Sequence, residues 1–242
     1  MIDQQNAREC ADLTADEVVR LYYKYRDSLR VVRDEQRGLH ERGMRAQIDD
    51  IEAELTYLLI RERRPVTVAE IGALHGWSTT WILRALRDNE YGRLITVDLT
   101  DAADYLVPRS LAFGRWTFCQ GDVRTLTKNW LHGVDYLFLD AEHSARFARW
   151  YLAEMLPVLA PETSVSVHDV FRRRQPCPFR EGAEVLDWLA HRNLGYFTAS
   201  RAAAREVYER IVQFKRKAGL AEPIHRGERN PMIFFRTPAS RG

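Results

Sequence analysis

Apolar positions recur at helical intervals from the start of the readable pattern. Thr14-Ala-Asp-Glu17 has the spacing of a capping box, and Val18, Leu21, Tyr22, Tyr25, Leu29 and Val32 follow on one helical face. After a polar break around Gly38 to Gly43, Ile48, Ile51, Leu55, Leu58 and Leu59 mark a second helix, which closes at Arg61-Glu-Arg-Arg64 and is stopped by Pro65. Beyond that point the pattern changes. Short runs rich in Val, Ile, Leu and aromatics, at 66–71, 94–98, 116–119, 135–140, 165–168, 196–199 and 232–236, alternate with helical stretches at 78–87, 145–159, 181–191 and 201–217. Strands alternating with helices predict a parallel sheet wrapped on both faces, so the expected architecture is α/β, Rossmann-like and seven-stranded, with an N-terminal helical cap. The expected division is a cap over residues 1–65 and a main domain over 66–242.

The chain has 242 residues, 45% hydrophobic and 29% charged, which suits a globular protein and excludes a disordered or disulfide-stapled one. A net charge of +2 is too nearly balanced to imply a polyanionic partner from the total alone, so any such argument rests on a local patch. The three cysteines, Cys10, Cys119 and Cys177, are too scattered for a disulfide framework or a zinc knuckle, which points to a reducing, cytoplasmic setting. No leader-like or membrane-spanning stretch is expected.

In a doubly wound sheet, ligands bind beyond the carboxyl ends of the strands. The first strand runs through Glu70-Ile-Gly72-Ala-Leu-His-Gly76-Trp-Ser78: a glycine-containing turn into a helix, with Ser78 expected to cap it. Glu70 argues against a dinucleotide, whose pyrophosphate it would repel, and the G-x-G-x-x-G spacing is missing. A cationic ligand suits it better, and the sulfonium and amino groups of S-adenosylmethionine fit. The second strand closes on Asp98, 22 residues past Gly76, where an adenosyl ribose would be gripped, although an aspartate there also begins a turn. Gly121-Asp122 follows the third strand, where the acid could meet an adenine amino group.

These residues resemble the class I S-adenosylmethionine-dependent methyltransferases over roughly 66–170, and Glu70-Ile-Gly72-x-x-x-Gly76-x-Ser78 is similar to the loop of the metal-dependent O-methyltransferases of the caffeoyl-CoA, catechol and macrocin/mycinamicin types. Leu74 departs from the middle glycine of many other methyltransferases. The resemblance implies cofactor contacts at Glu70, Gly72, Gly76, Ser78, Asp98, Gly121, Asp122 and Asp140. Asp140-Ala-Glu-His143 resembles the Asp-x-x-His segment of the sugar O-methyltransferases, which implies a metal ligand at Asp140 and a general base at His143. His168-Asp169 stands where that family has an acidic pair, so the implied metal set is Asp140, His168 and Asp169. An oxygen-only site favours magnesium, whereas a histidine ligand shifts preference toward manganese, iron or zinc.

The expected reaction is O-methylation of a small-molecule hydroxyl, a natural-product intermediate by family resemblance, with divalent-metal assistance. The alternative is the same fold turned to non-methylating biosynthetic chemistry, such as elimination or cyclisation, or to a noncatalytic subunit. Nucleic acid ranks behind both: residues 201–229 carry eight basic residues against four acids, but the fourth strand lacks the Asn/Asp-Pro-Pro-aromatic motif of base methylation. The arginines of loop 171–180 are candidate contacts for an acidic substrate. Tyr22, Tyr23 and Tyr25 either wall the pocket or pack between helices. The cap helices are a candidate surface for self-association, and no membrane partner is expected.

Overall fold

The structure, a computed structural model, describes residues 13–126, 128–225 and 227–239; Cys10 and Arg226 lie outside them. Thr14 caps the first helix as expected, its hydroxyl accepting the Glu17 amide at 3.1 Å. The stretch read as one helix is two, α1 (Ala15–Lys24) and α2 (Arg26–Glu41), separated at Tyr25. At the break the Tyr25 side chain is engaged by the next helix: its hydroxyl donates to Glu62 at 2.7 Å and the Arg61 guanidinium lies 5.0 Å from its ring centre. α2 also runs through Gly38, where a polar break was expected. Burial of Gln36 and Leu39 outweighs the roughly 1 kcal/mol that an internal glycine costs a helix.

Helix α3 (Asp50–Arg63) ends in a left-handed Arg64 ahead of Pro65, and it is buried on every side from Asp50 to Ile60. A helix so enclosed must find partners for its acids. Glu54 accepts from the Tyr22 hydroxyl at 2.6 Å and from Lys215 at 2.8 Å, with Arg33 paired to the same carboxylate.

The seven expected strands all form: β1 (Thr67–Ile71), β2 (Arg93–Asp98), β3 (Trp116–Gln120), β4 (Tyr136–Leu139), β5 (Ser164–Val167), β6 (Phe197–Thr198) and β7 (Ile233–Arg236). They make one sheet in the order β3-β2-β1-β4-β5-β7-β6, parallel except that β7 runs against both β5 and β6. The remaining helices are α4 (Trp77–Asn89), the short α5 (Ala102–Leu106) and α6 (Arg109–Ala112), then α7 (Ala145–Glu154), α8 (Glu181–His191) and α9 (Arg205–Ala218). α7 stops short of the expected residue 159 and passes into a 3-10 turn carrying Pro157, which lacks the amide a longer helix would need.

Alternation along the strands serves two cores. Val68, Tyr136 and Phe138 join one apolar cluster with side chains of α1 to α4 and α9, whereas Ala69, Ile71, Leu137 and Leu139 join another with α7 and α8. Both faces of the central strands β1, β4 and β5 are therefore covered, and every residue in them is buried. No helix among the described residues is long and apolar enough to cross a membrane. β1 lies between β2 and β4, so the chain leaves it in both lateral directions and a crevice opens at the carboxyl ends of these strands.

Candidate functional site

A cavity of about 500 Å³ fills that crevice, lined by Gly72, Asp98, Gly121, Asp122, Asp140, His143, His168 and Asp169 among others. These eight are sequence-predicted site residues, drawn from the ends of five strands.

The loop after β1 depends on close packing. Gly72 has φ +86°, and a β-carbon there would collide with the Asp140 carbonyl oxygen, so only glycine lets the β1 and β4 ends pass. Leu74 also has positive φ, +46°, the conformation for which a glycine is usual. Asp98 braces this loop: Oδ2 accepts the amides of Ala73 (2.7 Å) and Leu74 (2.8 Å), while Oδ1 accepts the amide and hydroxyl of Thr100. These donors hold its carboxyl below the usual range against the opposing effect of burial. The carboxylate thus makes the expected turn and borders the cavity at once. Asp122 also lines the cavity, with its carboxylate bound by Arg124 at 2.7 Å.

Three expectations need correction. Glu70 does not face the cavity: it is fully buried, accepting from Ser78 Oγ and Thr79 Oγ1 at 2.7 Å each and from Thr96 Oγ1 at 2.8 Å. Burial pushes its pKa up to about 7, opposed by those three donors. Ser78 is not the cap, because α4 begins at Trp77 with Gly76 in the cap position, and the serine hydroxyl turns inward to Glu70. Gly76 lies outside the cavity lining; its β-carbon would strike Val107, 2.5 Å away, so this glycine serves packing against the segment after α5.

Across the cavity, the ends of β4 and β5 bring together the other candidates. Asp140, His143 and His168 each offer a donor atom, and these lie within 4.8 Å of one another. His168 Nδ1 is 2.9 Å from Asp140 Oδ1, but the contact is not aligned as a hydrogen bond, and the buried Nδ1 has no other partner in the protein. His168 Nε2 faces Glu52 Oε2 at 3.4 Å. His143 Nδ1 binds Glu181 Oε2 at 2.9 Å, leaving Nε2 3.2 Å from Asp169 Oδ2 and 3.5 Å from Asp140 Oδ1. Asp169 falls outside the mutually close trio and instead pairs with Arg172 of loop 171–180, which also lines the cavity. An isolated bridge between Ser144 and Arg180 ties the far end of that loop to the His143 segment.

The electrostatics follow from this clustering. Burial disfavours charge on both histidines, yet the carboxylates outweigh it: Glu181, Asp140 and Asp169 raise His143, and Asp140 and Glu52 raise His168 well above the ordinary imidazole value. Asp169 sits below the usual carboxylate range, because Arg172 and the two histidines overcome its burial.

Glu52 and Glu181 are absent from the sequence reading. Both open a helix, where an acid is expected for the helix dipole alone, so nothing local marks them as histidine partners. The tyrosines of α1 and its border do not wall the cavity: Tyr22 is buried against Glu54, Tyr23 points to solvent and Tyr25 packs on Arg61. Four of the eight basic residues of that stretch are paired, Arg201 to Glu228, Arg205 to Glu209, Arg210 to Asp16 and Lys215 to Glu54.

Residues 69–170 match the family model of a methyltransferase domain. Among solved structures, the chain is similar to the O-methyltransferase from Bacillus cereus in complex with SAH: TM-score 0.54, 16% identity, 72% of this chain and 86% of that one. It is similar to the cofactor-bound Rv0187 from MTB, with TM-score 0.57 and 14% identity over 88% of this chain and 89% of that one. It is also similar to the O-methyltransferase TomG from Streptomyces achromogenes in complex with SAM, with TM-score 0.52 and 20% identity over 69% and 81%. At these identities the likeness establishes a shared fold. No curated protein sequence matches the chain significantly.

Proposed function

We propose, from the match of residues 69–170 to a methyltransferase-domain model, that the protein is a class I, S-adenosylmethionine-dependent methyltransferase that methylates a hydroxyl oxygen of a small molecule. One observation carries the reading: a single cavity has the glycine loop and Asp98 on one wall and a glutamate-backed histidine with Asp140 on the other. Gly72, Asp98, Gly121 and Asp122 would hold S-adenosylmethionine, which when bound supplies a methyl carbon activated by a sulfonium. The loop that Asp98 braces keeps its backbone fixed, so alignment costs little ordering at the moment of reaction.

A neutral hydroxyl is a poor nucleophile while it keeps its proton. His143 Nε2 faces the cavity and takes that proton, while Glu181 fixes the ring by holding Nδ1. The positive charge so formed is stabilised by Glu181, Asp140 and Asp169. Asp140, His168 and Asp169 would hold a divalent cation, which when bound lowers the pKa of a neighbouring hydroxyl. The donor chemistry fits, because a buried imidazole nitrogen without a partner lies 2.9 Å from a carboxylate oxygen. The acceptor class we propose is a natural-product intermediate, in keeping with the tomaymycin synthesis in which TomG is involved.

Calorimetric titration with S-adenosylmethionine tests the reading, with saturable binding expected. His143→Ala should keep that affinity and lose roughly 10²- to 10⁴-fold in turnover; undiminished turnover would remove the base assignment. The retreat of Glu70 from the cavity favours a second reading, the same fold turned to non-methylating chemistry, and absence of cofactor binding would bring it forward.

A further inference from the structure

We propose that Glu52, on helix α3, is the positioning residue that makes His168 a metal ligand, so that the cation site at Asp140 takes a divalent transition metal in preference to magnesium. The inference rests on the metal-assisted part of the reading above. His168 is 9% exposed at its side chain, with Nδ1 directed at Asp140 Oδ1 and bonded to nothing else. Leaving a buried ring nitrogen unpaired is costly unless something not of the protein uses it. Its other nitrogen faces Glu52 Oε2 at 3.4 Å. A cation at Asp140 would claim the Nδ1 lone pair, and Glu52, whose carboxylate accepts, would then hold the remaining ring proton on Nε2. This is the arrangement by which outer carboxylates orient metal-binding histidines.

Glu52 is itself immobile. Oε1 accepts the Met232 amide at 2.6 Å and Oε2 the Asp49 amide at 3.0 Å, so β7's approach and the start of α3 both pin it. Asp169 Oδ1 lies 3.6 Å from His168 Nδ1 on the same rim. His143 Nε2 faces the same point from the half-exposed side, where it remains the proton acceptor for an arriving hydroxyl. A nitrogen donor suits manganese, iron, cobalt or zinc, whereas magnesium prefers an oxygen set. The competing account is a purely structural His168, a protonated ring bridging Glu52 and Asp140.

The test uses chelator-treated full-length protein titrated separately with cobalt, zinc and magnesium ions alone, cobalt being followed by its visible absorption. Cobalt and zinc should bind on the order of 100-fold more tightly than magnesium. Glu52→Gln removes the negative charge that holds the ring proton on Nε2, so it should weaken cobalt binding by about 10- to 100-fold. Thermal melting checks that this variant folds. If it does not, His168→Asn carries the test, since it replaces the ring nitrogen with an amide and should abolish the preference over magnesium. Equal affinity for cobalt and magnesium, no metal binding at all, or a folded Glu52→Gln with unchanged cobalt affinity would overturn the proposal. S-adenosylmethionine titration of the same preparations keeps the two readings apart: lost cofactor binding with intact cobalt selectivity would strike the methyl-transfer reading and leave this one standing.

Discussion

Glu70 shows how a strand-end acid can serve the site without touching a ligand. Its two oxygens gather Ser78, Thr79 and Thr96, joining the start of α4 to β1 and β2 beneath the glycine loop. A folded pKa raised to about 7 from 4.5 means that the folded chain holds a proton which the unfolded chain releases in that interval. The resulting stabilisation is complete below pH 4.5 and disappears as pH rises through 7, a contribution of about 3 kcal/mol. Glu70→Gln cannot titrate. In urea melts its stability relative to wild type should therefore rise between those two pH values, and a constant difference would reject the assignment. Sequence position told which acids and histidines close strands: Asp98, Asp140, His143 and His168 all border the cavity. It could not tell that Glu70 turns inward, because that choice depends on hydroxyls contributed by a helix and a neighbouring strand.

At the scale of elements, the site depends on how closely β1 and β4 approach at their ends. Ile71 O accepts the Asp140 amide at 2.9 Å, which places Gly72 directly against the residue that carries the candidate ligand. Gly72→Ala would drive a methyl group into that carbonyl and also strain a positive φ, at a combined cost of about 3 kcal/mol. Calorimetric melting should show the loss, and cofactor affinity should fall with it; wild-type stability would mean that the junction is looser than the structure indicates. Periodicity located all seven strands and the body of every longer helix. It missed the break at Tyr25, because the apolar stripe continues across it, while the Tyr25 side chain is engaged by Glu62 and Arg61 from a distant helix.

At the scale of the molecule, the N-terminal helices are part of the structure that holds the site. One apolar cluster runs from Val18 and Leu29 through Leu55 and Leu58 to Trp77, Trp81 and Phe138. α3 also delivers Glu52 to His168 across that layer. Removing residues 1–65 would expose the covered face of α4 and leave His168 without its partner. The truncated chain is expected to lose cooperative thermal unfolding, and a sharp calorimetric transition in it would show a self-sufficient sheet domain.

The sequence by itself determined the alternation of strands and helices, the glycine turn after the first strand and the polar residues at the strand ends. These are local properties: side-chain period, steric allowance for positive φ and chain-terminating residues act over a few neighbours. Tertiary structure alone decided which acid meets which histidine. Glu52 and Glu181 lie 116 and 38 residues from their partners in the chain, and their roles arise only when burial removes water and leaves each other as the available partner.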